Sequence, residues 1–113
     1  MRLEEIASVL GCETLCAVDH VVDIKAVVAS DGMSEILAFY RPHALMLTGL
    51  TNIQSVRTAV VADVLAIVYV RGKRPAQKVL ELAREKEIPV LATTRGMFES
   101  CGILYTAGLE GAM

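Results

Sequence analysis

The residues of this chain that could do chemistry gather in four short polar turns: Ser30–Asp31–Gly32, Thr48–Gly49–Leu50–Thr51–Asn52, Arg71–Gly72–Lys73–Arg74 and Thr93–Thr94–Arg95–Gly96. Each joins a glycine to hydroxyl, amide or cationic side chains. Glycine lets the backbone approach a ligand closely, amides at a helix start favour an anion, and arginine can grip a phosphate through two hydrogen bonds. The third turn is the most pointed. In "AIVYVRGKRP" (66–75) five apolar or aromatic residues run into three cations within four positions, and then a proline. Cations at the start of a helix oppose its dipole, so their placement favours a negative partner: a bound phosphate or carboxylate, or acidic groups of a second subunit. Taken singly, each turn is also explained by ordinary caps and wet loops. Taken together they are expected to line one rim.

Motifs of the common enzyme classes are missing. There is no G-x-x-x-x-G-K-[ST] loop, Gly49 does not begin a G-x-G-x-x-G, and no G-x-S-x-G elbow occurs. His20 and His43 fall outside the four turns, and His43 is expected simply to begin a strand. An enzyme would need a general base at the rim, where Asp31 is the one strand-end carboxylate. Cys12, Cys16 and Cys101 lack a C-x-x-C unit and are expected to be buried, reduced thiols; Met33, Met46 and Met97 are expected as core filler or interface. The expectation is therefore a non-enzyme without cofactor or metal.

These turns need a frame, and the apolar pattern supplies one. "RLEEIASVLG" places Leu3, Ile6 and Leu10 on one helical stripe and stops at Gly11. "ETLCAV" and "DIKAVVAS" (23–30) follow as strands, and "SEILAFY" as a short helix. "HALMLTG" (43–49), "DVLAIVYV" and "IPVLATT" (88–94) are short continuous apolar runs, the pattern of strands buried on both faces. A helix after the first run is capped by Thr51 with Gln54 or by Asn52 and reaches about Ala62. Pro75 is expected to open "PAQKVLELAREKE" as its first turn, with Val79, Leu82 and Ala83 inward. "GMFESCGILYTAG" is the last helix, and "EGAM" is expected to fray. Alternating strands and helices of these lengths predict an α/β fold: a single domain over residues 1–113, with a mainly parallel sheet of 4–5 strands covered by helices.

The bulk composition agrees. With 113 residues the chain is one domain, and 54% apolar residues against 21% charged exclude a disordered tail. So large an apolar share on a small domain implies that a second copy covers part of the surface, a homodimer. The net charge of −2, without a run of like charges, gives no footprint for nucleic acid. The start has no signal-peptide pattern, and the longest apolar stretch, Val64 to Val70, is too short to span a bilayer. A cytoplasmic protein is expected, with no membrane partner.

The runs "LMLTGLTNIQSVRTAVVADVLAIVYVRGKRP" and "LELAREKEIPVLATTRGMFESCGILYTAGL" resemble the DRTGG domain family, above all its small stand-alone members. Leu47–Thr48–Gly49, Val70 to Pro75, and Ile88 to Thr93 with Phe98–Glu99 carry the likeness, which is good over about residues 40–110 and looser before. The five-residue string that names the family does not occur; only Thr48–Gly49 corresponds to its tail. The resemblance implies a fold like the N-terminal domain of the bifunctional HPr kinase and of a cell-wall ligase, and a non-catalytic, often dimeric module. It also implies an association with adenine-nucleotide sensing and, for stand-alone members, with hydrogenase and energy regulation.

The expected function is a regulatory module that takes a phosphorylated small molecule, such as an adenine nucleotide, at the carboxyl ends of its strands. Thr48, Gly49, Asn52, Arg71, Gly72, Lys73, Arg74, Thr93 and Thr94 are the expected ligand-binding residues. Arg71 and Arg74 would hold phosphate while Thr48, Thr93 and helix-start amides orient it. The alternative is a pure interaction module whose basic turn docks an acidic protein partner.

Overall fold

The structure, a computed structural model, describes all residues from Met1 to Met113. In chain order its elements are α1 (Leu3–Leu10), β1 (Glu13–Cys16), β2 (Ala26–Ala29), α2 (Met33–Phe39), β3 (Leu45–Thr48), α3 (Ile53–Val61), β4 (Ala66–Tyr69), α4 (Gln77–Glu85), β5 (Val90–Ala92), α5 (Met97–Thr106) and β6 (Glu110–Gly111). The six strands form one sheet in the order β1-β5-β4-β3-β2-β6. All pairings are parallel except that of β1 with β5.

The topology follows from the apolar runs. Every residue of β3, β4 and β5 is buried, so helices must cover both faces of the sheet. Strands β2, β3, β4 and β5 lie side by side in sequence order. With right-handed crossovers, the three connecting helices must then all fall on one face. There α2, α3 and α4 set Ile36, Val56, Ala59, Val79 and Ala83 against Met46, Ile67 and Tyr69. The opposite face receives only α1 and α5, which pack Ile6, Leu10 and Leu104 over Leu45, Leu47, Val68 and Leu91. Three helices cover one face and two the other.

Most local expectations hold. Gly11 ends α1 at φ 65, and its amide bonds back to the carbonyls of Ala7 and Ser8, the left-handed helix stop that glycine adopts without cost. Of the two caps open for α3, Asn52 serves: its side chain accepts from the Ser55 amide at 3.3 Å. The tyrosine of β4 is fully buried, and its hydroxyl meets the Ser55 hydroxyl at 2.7 Å. Cys16 is buried and Cys12 and Cys101 are half-buried, all as free thiols. Burial pushes the Cys12 thiol up to about 11 and raises that of Cys101.

Three details differ. The sheet has six strands rather than four or five, because the chain's last residues add one. "EGAM" does not fray: β6 pairs with β2, the Ala112 amide donates to Val27 at 2.8 Å, its carbonyl accepts from Arg41, and its side chain is buried. No apolar run announced it, since two backbone-paired residues suffice at a sheet edge. Finally, Pro75 lies before the helix rather than in its first turn; α4 is capped by Ala76 and starts at Gln77.

The docked tail is testable. Ala112→Asp places an unpaired carboxylate in that buried position and should cost about 1–3 kcal/mol in urea unfolding. The Glu110 and Ala112 amides should then exchange far faster than the amides of β3 and β4. Wild-type Ala112 exchanging at a free-peptide rate would disprove the docking.

Candidate functional site

The carboxyl ends of β2, β3, β4 and β5 bring the four polar turns to one rim. At its centre a single carboxylate gathers the donors. Asp31, just past β2, accepts from the Gly49 amide at 2.7 Å and the Thr48 hydroxyl at 3.1 Å through one oxygen. Its other oxygen accepts from the Arg71 guanidinium at 2.8 Å. The Gly49 amide foremost, with Arg71 and Thr48 in support, holds the Asp31 carboxyl below the usual carboxylate range. Gly49 is needed here for space: a methyl on its Cα would overlap the Arg71 guanidinium that lies across it.

The basic turn is built tightly. Its amide bond from Lys73 back to the Val70 carbonyl closes over Arg71 and Gly72, both at positive φ, 64 and 70. Such a φ is easy for glycine and strained for arginine. Two bonds to the neighbouring turn hold it there, from the Arg71 amide to the Arg95 carbonyl at 2.8 Å and from Gly72 to Thr93 at 3.0 Å. This junction has a topological meaning. The chain leaves β4 toward α4 on one face and leaves β5 toward α5 on the other, and a sheet splits its loops at such a point. Here the split is bridged by those two backbone bonds.

The negative partner that the cations call for is present within the chain. Arg71 pairs with Asp31, and Arg74 makes a two-pronged contact with Glu13 of β1 at 2.8 and 3.1 Å. Because α4 begins only at Gln77, the three cations precede its first turn instead of crowding it. Lys73 is exposed and has no carboxylate partner. Arg95 reaches the Leu10 carbonyl at the C-terminus of α1 and pairs with Glu99.

The remaining expected residues are spread by role. Thr48 and Gly49 are buried beneath the rim with their donors turned to Asp31. Thr93 is also buried, and its hydroxyl donates to the Leu10 carbonyl at 2.8 Å, which leaves it no proton for a ligand. Asn52 is engaged as the α3 cap, while Gly72 and Thr94 are exposed. Two acidic residues outside the expected ligand set complete the cluster. Asp31 was legible as a strand-end carboxylate in the same kind of turn as its partners. Glu13 had no such signal, because only the antiparallel addition of β1 beside β5 carries it to Arg74. Five grooves elsewhere on the surface are lined by other residues.

These contacts make definite predictions. Since the folded Asp31 carboxyl titrates below its unfolded value, its stabilisation is complete above about pH 4 and is lost as pH falls through the lower folded value. Asp31→Asn should therefore lose less stability between pH 7 and pH 3 than wild type in urea melts; an unchanged difference would refute the contribution. Gly49→Ala should swing the flexible Arg71 head into solvent at a cost under about 1 kcal/mol. By NMR titration the Asp31 pKa should then rise part of the way, because the residue 49 amide still donates.

Comparison with known proteins places the chain in a family. The sequence matches the DRTGG domain over residues 5–107. No curated protein matches it. Among solved structures, the chain is similar to the CBS and DRTGG domains of the regulatory region of Clostridium perfringens pyrophosphatase, determined in complex with the activator diadenosine tetraphosphate. The TM-score is 0.71 at 19% identity, and the match covers 90% of this chain and 45% of that one. That likeness shows a shared fold, and the chain spans less than half the length of that structure. With almost its whole length matched, the chain belongs to the DRTGG domain family.

Proposed function

We propose that this chain is a non-catalytic regulatory module that senses a phosphorylated small molecule of the adenine-nucleotide class at the strand-end rim. The observation that carries this reading is the convergence of the Thr48 hydroxyl, the Gly49 amide and the Arg71 guanidinium on one carboxylate. Donors so arranged select an oxyanion, and Asp31 is the anion the chain itself supplies. A phosphate offers the same oxygens with more charge. Both rim ion pairs are exposed, and exposed pairs contribute little, so a multiply charged ligand can exchange with them.

In this reading Arg71 and Arg74 leave Asp31 and Glu13 to hold phosphate, and Lys73 adds charge that nothing in the chain neutralises. Gly49 lets the ligand approach the backbone beside the Thr48 hydroxyl. Asn52, Gly72 and Thr94 edge the site, and Thr93 shapes it from below through Leu10. The complex of the pyrophosphatase regulatory region with diadenosine tetraphosphate supports adenine as the base. No helix is long and apolar enough to cross a membrane, which agrees with a cytoplasmic module. The reading is completed by a homodimeric state and an output in hydrogenase or energy regulation.

A second reading has an observation of its own: the two turns at the β4–β5 split are bonded together and the basic residues beside them are exposed. An exposed basic turn suits docking of an acidic partner protein, and salt-sensitive association without small-molecule stabilisation would be its sign.

Thermal melts with millimolar AMP, ATP and diadenosine tetraphosphate separate the two. A nucleotide should raise the wild-type midpoint, and Arg71→Ala with Arg74→Ala should abolish the shift while leaving the fold intact by circular dichroism. Asp31→Asn should tighten binding several-fold in calorimetry, because the internal competitor has lost its charge. No shift in either wild type or Asp31→Asn would end the ligand reading.

A further inference from the structure

Val27 and Ala29 of β2 floor an open groove of about 370 Å³ on the face of the sheet that only α1 and α5 cover. The wall of the groove is α5, which lines it with Phe98, Cys101, Gly102 and Tyr105 along one helical stripe. Phe98 is 91% exposed and Tyr105 78% exposed, so two large aromatic rings stand bare beside the hollow. Gly102 lies between them. Glycine weakens a helix interior, yet no atom lies within 4 Å of where its side chain would be, so no packing demands it. Its missing side chain keeps the wall open to the close approach of a flat group.

The groove carries no free charge. Glu110 is the one charged residue along it. Its register partner Ala26 faces the other side of the sheet, and its carboxylate pairs with Arg41 at 3.2 Å. One end of the groove meets the rim. Ala29 stands two residues before Asp31, a span of at most about 7 Å, and Phe98 stands two residues after Gly96 of the Thr93–Gly96 turn.

We propose that this groove is the base subsite of the rim. A nucleotide whose phosphates meet the donors around Asp31 lays its neutral adenine ring between β2 and α5, against Phe98. The proposal rests on the rim reading above and deepens it, because it requires a nucleoside rather than a bare phosphate or a sugar phosphate. The two surfaces divide the chemistry of one ligand. The rim supplies an amide, a hydroxyl and a guanidinium for oxygens that bear charge. The groove supplies apolar walls and an aromatic face for a ring that bears none. A single sugar bridges the short step between them. At about 370 Å³ the groove is near the small end of ligand sites, which suits one nucleoside.

Calorimetry on the intact chain with ATP, inorganic tripolyphosphate and adenosine tests this, together with the alkylation rate of Cys101 read by mass spectrometry. ATP should bind at least about 5-fold tighter than tripolyphosphate, the effect of one base stacked on an aromatic ring. ATP and adenosine should both slow alkylation of Cys101 and leave Cys12, which does not line the groove, at its own rate. Phe98→Ala and Gly102→Leu should each bring ATP down to the tripolyphosphate affinity with an unchanged circular dichroism spectrum, since neither position supports the core. Equal affinities for ATP and tripolyphosphate, or ATP binding indifferent to both substitutions, would overturn the subsite and leave the rim reading standing. Protection of Cys101 by adenosine without any binding of tripolyphosphate would support the groove and sink the rim reading. Failure of all three compounds to bind or to protect Cys101 would overturn both. A chain of twice the mass whose Cys101 is shielded before any ligand is added would give the groove to a second copy and overturn the assignment.

Discussion

Three strands of this protein are buried along their whole length on both faces, and nearly everything else follows from covering them. Parallel strands without a polar face need helices above and below the sheet. Strands β2 to β5 stand in chain order, and the right-handed crossover rule then commits α2, α3 and α4 to one side. Only α1 and α5 remain for the other. The change of side between α4 and α5 falls after β4 and β5, where the basic turn and the Thr93–Arg95 turn meet. One covering requirement thus locates the rim and also leaves the outer face of α5 uncovered.

At the rim, electrostatics is settled locally. Cations placed beyond a strand end have no reason to stay unpaired when the sheet brings carboxylates beside them, and Asp31 and Glu13 take up Arg71 and Arg74. Arg71 holds a strained backbone angle to do so, with two neighbouring-turn hydrogen bonds offsetting the strain. The result is a set of donors already aimed at an anion, with a weakly held, exposed internal anion in place. Such an arrangement is suited to exchange.

Within its family the chain keeps the fold while lacking the five-residue string of the family name. The similarity to the pyrophosphatase regulatory region spans less than half of that structure, whose remaining part includes CBS domains. Two surfaces of the domain are distinctive: a polar rim at the strand ends and an apolar α5 face. They adjoin each other, since Ala29 and Phe98 of the apolar face stand next to the Ser30–Gly32 and Thr93–Gly96 turns of the rim.

The periodicity of the apolar runs was enough to derive the class, the parallel strands and each helix, because strand and helix bury side chains with different repeats. Gly11 and Asn52 marked two helix ends for the same local reason, a backbone angle or a free amide that few residues satisfy. The turns that would meet at the rim were legible too, since every one follows an apolar run. Other features were decided only by long-range pairing. The C-terminal strand has two residues and no apolar pattern, and it exists because β2 offers an unpaired edge. The ends of α3 and α4 use Asp63 and Glu87 at positive φ, where glycine would have been the signal. The partner of Arg74 is 61 residues away, on a strand whose antiparallel place no local pattern encodes. Sequence alone determined which residues are charged and which strands are buried. Which charges neutralise one another, and which aromatics stay bare, depended on the order of strands in the sheet, a property of the assembled chain.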